Sequence, residues 1–163
     1  MTRKLFGVLV VVAAGLAVVG FGVRGAAQDR PAGGAAPAAH DAHGKHFEAC
    51  AKVCADCQVE CEKNFHHCAK LVEAGKKEHA RAMHLSVDCA ELCAAAGRLS
   101  GRHSELAVPA CEACAKACEA CAAECDKFKD MPEMKACADK CRECAKSCRE
   151  MVKMAGHGHG QHE

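Results

Sequence analysis

CADKCRECAKSC, residues 137–148, sets Cys137, Cys141, Cys144 and Cys148 at intervals of 4, 3 and 4. On a helix turning about 100° per residue, Cys137 to Cys148 covers about 1100°, about 20° past three full turns. The four sulfurs therefore line one face over about 16 Å of helix. Asp139, Lys140, Arg142, Glu143 and Lys146 between them, and Arg149 and Glu150 beyond, are charged and face water. The stretch is an amphipathic helix whose buried face is thiol.

The same spacing recurs upstream. Cys50, Cys54, Cys57, Cys61 and Cys68 form one series, and Cys111, Cys114, Cys118, Cys121 and Cys125 another, while a shorter one holds only Cys89 and Cys93. These are heptad a and d intervals. Ala, Glu and Lys dominate around them and favour helix. Breakers divide the region at Gly75-Lys76-Lys77, at GRLSGRHS (97–104) and at KDMPE (129–133), with Pro132 suited to a first helical position. The pattern predicts four helices over 46–74, 77–98, 104–128 and 131–154. Short connections make neighbours antiparallel, so the expected fold is an all-α, up-down four-helix bundle with a cysteine-lined core.

The rest of the chain frames this bundle. Arg3 and Lys4, then the uncharged run Leu5–Val23, then Gly25-Ala26-Ala27, read as an export signal over 1–27. The run is long enough to span a bilayer, so an uncleaved anchor is the competing reading. "TRKLF" resembles a twin-arginine start with Lys4 in place of the second arginine, which leaves the export route open. Residues 28–45, rich in Ala, Gly and Pro, read as a flexible linker, 46–155 as the bundle and 156–163 as a His-rich disordered tail. The linker's His40 and His43 and the tail's His157, His159 and His162 read as incidental metal binders on solvated segments. A net charge of +1 removes any bulk electrostatic case for nucleic acid or an anionic surface.

An ordinary core is missing. Between 46 and 155, Leu, Val and Phe together number fourteen and Ile is absent from the whole chain, too few to supply two or three apolar residues per heptad on four helices. The inward stripe must be cysteine. Thiols pack as small hydrophobes, but sixteen of them in an exported chain are an oxidation hazard if packing is their only role. Side chains three or four apart on a helix sit about 5–6 Å apart at Cβ, and a linear S–metal–S bridge spans about 4.6 Å. Each such pair can hold one ion, and thiolates on facing helices can bridge the next. Soft sulfur selects Cu(I), zinc or iron–sulfur clusters. Two- or three-coordinate ions strung along a seam suit Cu(I), whereas zinc prefers closed tetrahedral sets and iron–sulfur clusters prefer loop ligands.

Repeated CxxxCxxCxxxC helices of this kind resemble the bacterial copper-storage proteins over about residues 46–155. The resemblance implies cysteine-lined bundles holding many Cu(I) ions per chain, often as homotetramers, with exported and cytosolic branches. The leader places this chain with the exported, periplasmic branch. Family members need no catalytic residue, and no nucleophile–base set stands out in this sequence. The resemblance gives all sixteen cysteines the role of metal ligands and makes copper ions the binding partners, with copper-dependent enzymes or chaperones as recipients. Storage for supply and protection from toxicity both fit.

Up-down topology gathers Met83, Met131 and Met134 at one end with His79 near them, as a thioether funnel for Cu(I) or as flexible filler; the resemblance favours the funnel. Met151 continues the stripe of the last helix at the other end, where His46, His103 and Met154 also gather, as a weaker alternative gate. Of His66 and His67, one at most faces the thiols, and His66 stands as the accessory candidate. Two other readings remain: a disulfide-stapled structural helical protein, supported by export and an even cysteine count, and a metallothionein-like zinc or mixed-metal buffer.

Overall fold

The computed structural model describes residues 37–156, with side chains over 44–155. The expected leader and nearly all of the expected tail lie outside the described residues. Four helices carry the chain: α1 (Pro37–Glu73), α2 (Ala80–Gly101), α3 (Ala107–Cys125) and α4 (Pro132–Gly156). One-turn 3-10 segments, Lys77–His79 and Asp126–Phe128, precede α2 and follow α3. Each helix packs on two neighbours, α1 on α2 and α4, and α3 on α2 and α4. The diagonal pairs meet only through side chains reaching the axis, as Cys50 of α1 reaches Cys111 of α3 at 3.6 Å.

The turns explain where the helices stop. Gly75 takes φ 88°, its N–H bonds the Val72 carbonyl and the Lys76 N–H bonds that of Leu71, the paired bonds of a Schellman ending. The α2–α3 turn uses the same device with a different residue. His103 takes φ 52°, its N–H bonds the Ser100 carbonyl and the Ser104 N–H bonds that of Leu99. Its ring stacks on Phe47 of α1, centroids 4.9 Å apart, which helps to hold a conformation usually left to glycine. Pro132 opens α4 as expected.

The helix bounds differ from the sequence pattern at several ends: 3-10 turns replace the expected first residues of α2 and the last of α3, and α3 starts at Ala107 and not at 104; two further differences bear on packing. First, α1 is already helical at Pro37, well ahead of residue 46, so the helix takes up part of the expected linker. Second, α2 does not break at 97–98 but runs through Gly97 to Gly101. Gly97 is a contact residue rather than a stop. A Cβ there would lie 3.3 Å from both the Ala51 carbonyl oxygen and the Cys54 Cβ of α1. Its missing side chain lets α1 and α2 approach closely, and that proximity outweighs the helix propensity lost. We expect Gly97→Leu to force the pair apart and to lower stability by about 1–3 kcal/mol, the usual range for overpacking. A denaturant midpoint equal to that of the parent would contradict this packing.

The core has an unusual composition. All sixteen cysteines are fully buried, joined by Met134, Met151 and alanines such as Ala82, Ala96, Ala107 and Ala138. Among the described residues no Leu, Val or Phe is fully buried; Val53, Leu85, Leu92 and Val108 lie half-buried against the thiols, and Val59, Val87 and Leu106 are exposed. The large apolar residues form a partial collar around a sulfur column. At the end bearing the α1–α2 and α3–α4 turns, buried Glu124 pairs with Arg81 at 2.9 Å and Lys127 at 2.7 Å, tying the start of α2 to the end of α3.

Candidate metal centre

Heptad spacing fixes what faces the axis. On α1 the inward line is Cys50, Cys54, Cys57, Cys61, Asn64 and Cys68; on α2 it is Ala82, Ser86, Cys89, Cys93, Ala96 and Ser100. On α3 it is the five cysteines, and on α4 the four cysteines of the 137–148 stretch capped by Met134 and Met151. Sulfurs on different helices then approach within 3.5–3.9 Å. Cys54 lies 3.5 Å from Cys148 and 3.7 Å from Cys144, Cys93 lies 3.5 Å from Cys114, Cys89 lies 3.5 Å from Cys118, and Cys61 lies 3.6 Å from Cys141. All sixteen thiols are free. Four helices thus converge on one column without a covalent bridge, and nothing in the arrangement favours a disulfide scaffold.

The column resolves into overlapping ligand sets. Cys54, Cys114, Cys144 and Cys148 form one, and Cys57, Cys93, Cys118 and Cys144 the next. Cys57, Cys61, Cys89 and Cys141 form a third, Cys61, Cys121, Cys137 and Cys141 a fourth, and Cys50, Cys111 and Cys148 a three-thiol set; within each, all sulfurs lie within 4.8 Å of one another. Cys57, Cys61, Cys141, Cys144 and Cys148 each belong to two sets, as bridging thiolates require. Three thiolates around one Cu(I) place sulfurs about 4.0 Å apart, from metal–sulfur bonds of about 2.3 Å. The in-helix pairs Cys50–Cys54, Cys89–Cys93 and Cys114–Cys118, each at 3.9 Å, match that edge. The linear in-helix bridge expected from spacing needs about 4.6 Å, so these pairs fit trigonal sets more closely.

Neighbouring thiols also divide the protons. Cys114 is held well below the usual thiol range chiefly by an S–H from Cys118, and Cys118 is pushed far above it chiefly by that same partner. Cys57 is held low mainly by Cys118 and then Cys141. A cation that binds these thiols displaces their protons. Cys68 is different: burial first, then the charges of Cys137 and Cys121, push it up to about 11. Its folded value lies above its ordinary 9.0, so its contribution is complete below pH 9 and is lost as pH rises through about 11. We expect the unfolding midpoint of the metal-free protein to fall across that window, and Cys68→Ala to remove part of the fall in a pH-dependent melt.

Cys68 and Cys125 stand outside the five ligand sets, on the turn side of a polar belt. Asn64 Nδ2 donates to Ser86 Oγ at 2.9 Å and approaches Cys125 Sγ at 3.4 Å, and Ser86 Oγ donates to the Ala82 carbonyl at 2.8 Å. Ser100 Oγ lies 3.5 Å from Cys111 Sγ at the other end of α2. Spacing alone left these three unnoticed, although the seven-residue gap between Cys61 and Cys68 marks where Asn64 sits.

The turn-side mouth assembles the expected residues. Met134 is fully buried, with Sδ 3.6 Å from Cys68 Sγ. His79 is buried against Phe128, ring centroids 4.2 Å apart, and its Nδ1 has no partner. Met83 and Met131 are half-buried against the same core. His66 is not with them: it is exposed, because α1 turns it away from the sulfur line. His67 is the inward member of the pair, its Nδ1 4.0 Å from Glu133 and its Nε2 buried without a partner. At the far end Met151 is only 2 % exposed and closes the column, while His46 and His103 are exposed.

The copper storage protein family profile matches residues 43–153, which span all four cysteine-bearing helices. The chain belongs to that family. Among solved structures it is similar to the Cu(I)-bound copper storage protein BsCsp3, at 36% identity over 66% of this chain and 98% of that one, with a TM-score of 0.60. It is also similar to apo copper storage protein 3 from Bacillus subtilis, at 34% identity over 64% and 97%, TM-score 0.57. A cytosolic copper storage protein from Streptomyces lividans, loaded with five coppers, shares the fold at 24% identity over 69% and 97%, TM-score 0.64. No curated protein matches the chain. No described helix is long and apolar enough to cross a membrane.

Proposed function

We propose that this chain stores Cu(I) outside the cytoplasm, holding many cuprous ions on its sixteen cysteines for supply to copper enzymes or for protection. The observation that carries the reading is the sharing of thiols between sets: a closed zinc site keeps its ligands to itself, whereas Cys141 and Cys144 each face two. Cysteines are the ligands throughout. Met83, Met131, Met134, His79 and His67 form the admitting mouth, and Met151 the closed end. The basic residues, apolar run and small residues of the leader support export to the periplasm. The homotetramer, and copper-dependent enzymes or chaperones as recipients, are supported by the family resemblance alone. Storage needs no acid–base or nucleophilic step, and the site assigns none.

The test is an anaerobic Cu(I) titration of the reduced chain against a competing chelator, repeated with Zn(II). Uptake of about ten or more Cu(I) per chain, with zinc displaced, is expected from bridged soft-ligand sites. Saturation at about four ions or fewer, or zinc preferred over copper, is the result of separate tetrahedral sites and removes the storage reading.

A further inference from the structure

The column is capped by Met134 at the turn end and by Met151 at the other, and its side wall is not uniformly thick. Near the Met151 end, between α3 and α4, an open groove of about 420 Å³ is lined on its inner side by Cys111, whose thiol is itself buried. That volume lies within the range of sites for small molecules. Val152 makes an apolar side, and Lys116, Arg149 and Lys153 stand at the rim with one carboxylate, Glu112. Arg149 is already paired with Glu119 across the helices. Lys116 and Lys153 are in no ion pair among the described residues, so two free cations face one carboxylate. The floor belongs to the store itself, since Cys111 shares a three-thiol set with Cys50 and Cys148.

This part of the wall also lies beside a helix end. Cys111 lies in the second turn of α3, whose N-terminus has no side-chain cap and whose preceding residue, Leu106, is 63% exposed. Helix ends open locally at lower free energy than helix centres. A groove of ligand size, an anion-attracting rim, a store cysteine beneath it and the start of α3 coincide at one place.

We propose that the α3–α4 groove over Cys111 is a discharge port where a small anionic thiol docks and removes stored Cu(I). The inference rests on the storage reading for the cargo, but the groove can be tested without it. In the step, the incoming thiol sulfur bonds to the copper while the Cys111 Sγ–copper bond breaks. The proton of the incoming thiol passes to Cys111 Sγ, and copper stays cuprous throughout. The free lysines hold the carboxylates of the thiol compound, and the Val152 side takes its carbon skeleton.

The experiment compares the copper-loaded full chain with its Lys116→Glu/Lys153→Glu variant. Copper is removed under anaerobic conditions by 2,3-dimercaptosuccinate, which is anionic, or by dithiothreitol, which is neutral. We expect removal by dimercaptosuccinate to slow about tenfold in the variant, in line with reversing two rim charges, with the dithiothreitol rate unchanged. A second arm uses the metal-free chain and iodoacetate, with peptide mass spectrometry to locate the label. Cys111 should react before the other thiols in the parent and lose that lead in the variant, while neutral iodoacetamide shows no such change. Equal slowing of both dithiols, no slowing of either, or first labelling at Cys68 in the mouth overturns the port. The iodoacetate arm contains no copper, so a failure of storage leaves its outcome readable.

Discussion

Copper loading should raise the thermal midpoint of this protein by at least about 20 °C, and a cuprous chelator should reverse the gain. The reason lies in what fills the interior. The buried residues are chiefly Cys, Ala and Met, side chains that remove little apolar area each, and the larger Leu, Val and Phe residues sit half-exposed around them. Such a core leaves the metal-free bundle close to the margin of about 5–15 kcal/mol typical of domains, or below it. Ions that bind the folded column and not the unfolded chain add their binding free energy to folding. An increment of about 5 kcal/mol already corresponds to about 20 °C in a domain of this size. Each bound ion also replaces a shared proton and joins helices that otherwise touch through S–H contacts of 3.5–3.9 Å. Differential scanning calorimetry of the metal-free and loaded forms, both reduced, reads the shift directly. A difference under about 5 °C, which is about 1 kcal/mol, would mean that the thiol column is stable without cargo and that the thin-core argument fails.

Much of this column is visible in the sequence because its two causes are local. Intervals of 3 and 4 put side chains on one helix face, and charged residues between the cysteines fix which face that is; Cys137 to Cys148 needs nothing more. What escapes is set by contacts between helices. Gly97 and Gly101 read as breakers because glycine disfavours helix, yet at Gly97 the neighbour Ala51 makes the absence of a side chain the useful property. His103, an ordinary exposed residue by composition, ends α2 because the Leu99 and Ser100 carbonyls need donors there and Phe47 offers its ring a place. Adjacent residues on a helix point about 100° apart, so spacing alone leaves His66 and His67 equivalent; the start of α4, with Glu133 opposite, selects His67. Asn64, Ser86 and Ser100 occupy seam positions, but as polar residues they look like gaps until Asn64 and Ser86 are seen bonded to each other across the core.

Cys141→Ala should cost the store up to about two Cu(I) ions, and Cys68→Ala about one at most, because a bridging thiolate serves an ion in each set it joins, and Cys141 joins two sets while Cys68 joins none. Both cysteines are fully buried, so exposure does not separate them. Position in the network does. The Cys141 sulfur lies 3.6 Å from Cys61 and 3.9 Å from both Cys57 and Cys89, and it completes two four-thiol sets. Cys68 completes none, and its soft neighbour is the Met134 thioether at 3.6 Å. The two substitutions remove the same atoms, and a buried sulfur traded for hydrogen costs each bundle a comparable 1 kcal/mol or so; unchanged far-ultraviolet circular dichroism of both metal-free variants checks this. The loaded forms should then separate: the Cys141 variant loses capacity at the centre and melts well below the parent, while the Cys68 variant fills almost completely and differs mainly in the rate of uptake at the mouth. Equal losses from the two would mean that capacity follows the number of thiols and not their arrangement. The overlapping sets would then be a consequence of close packing, and bridging through Cys141 would play no part in how the column holds its ions.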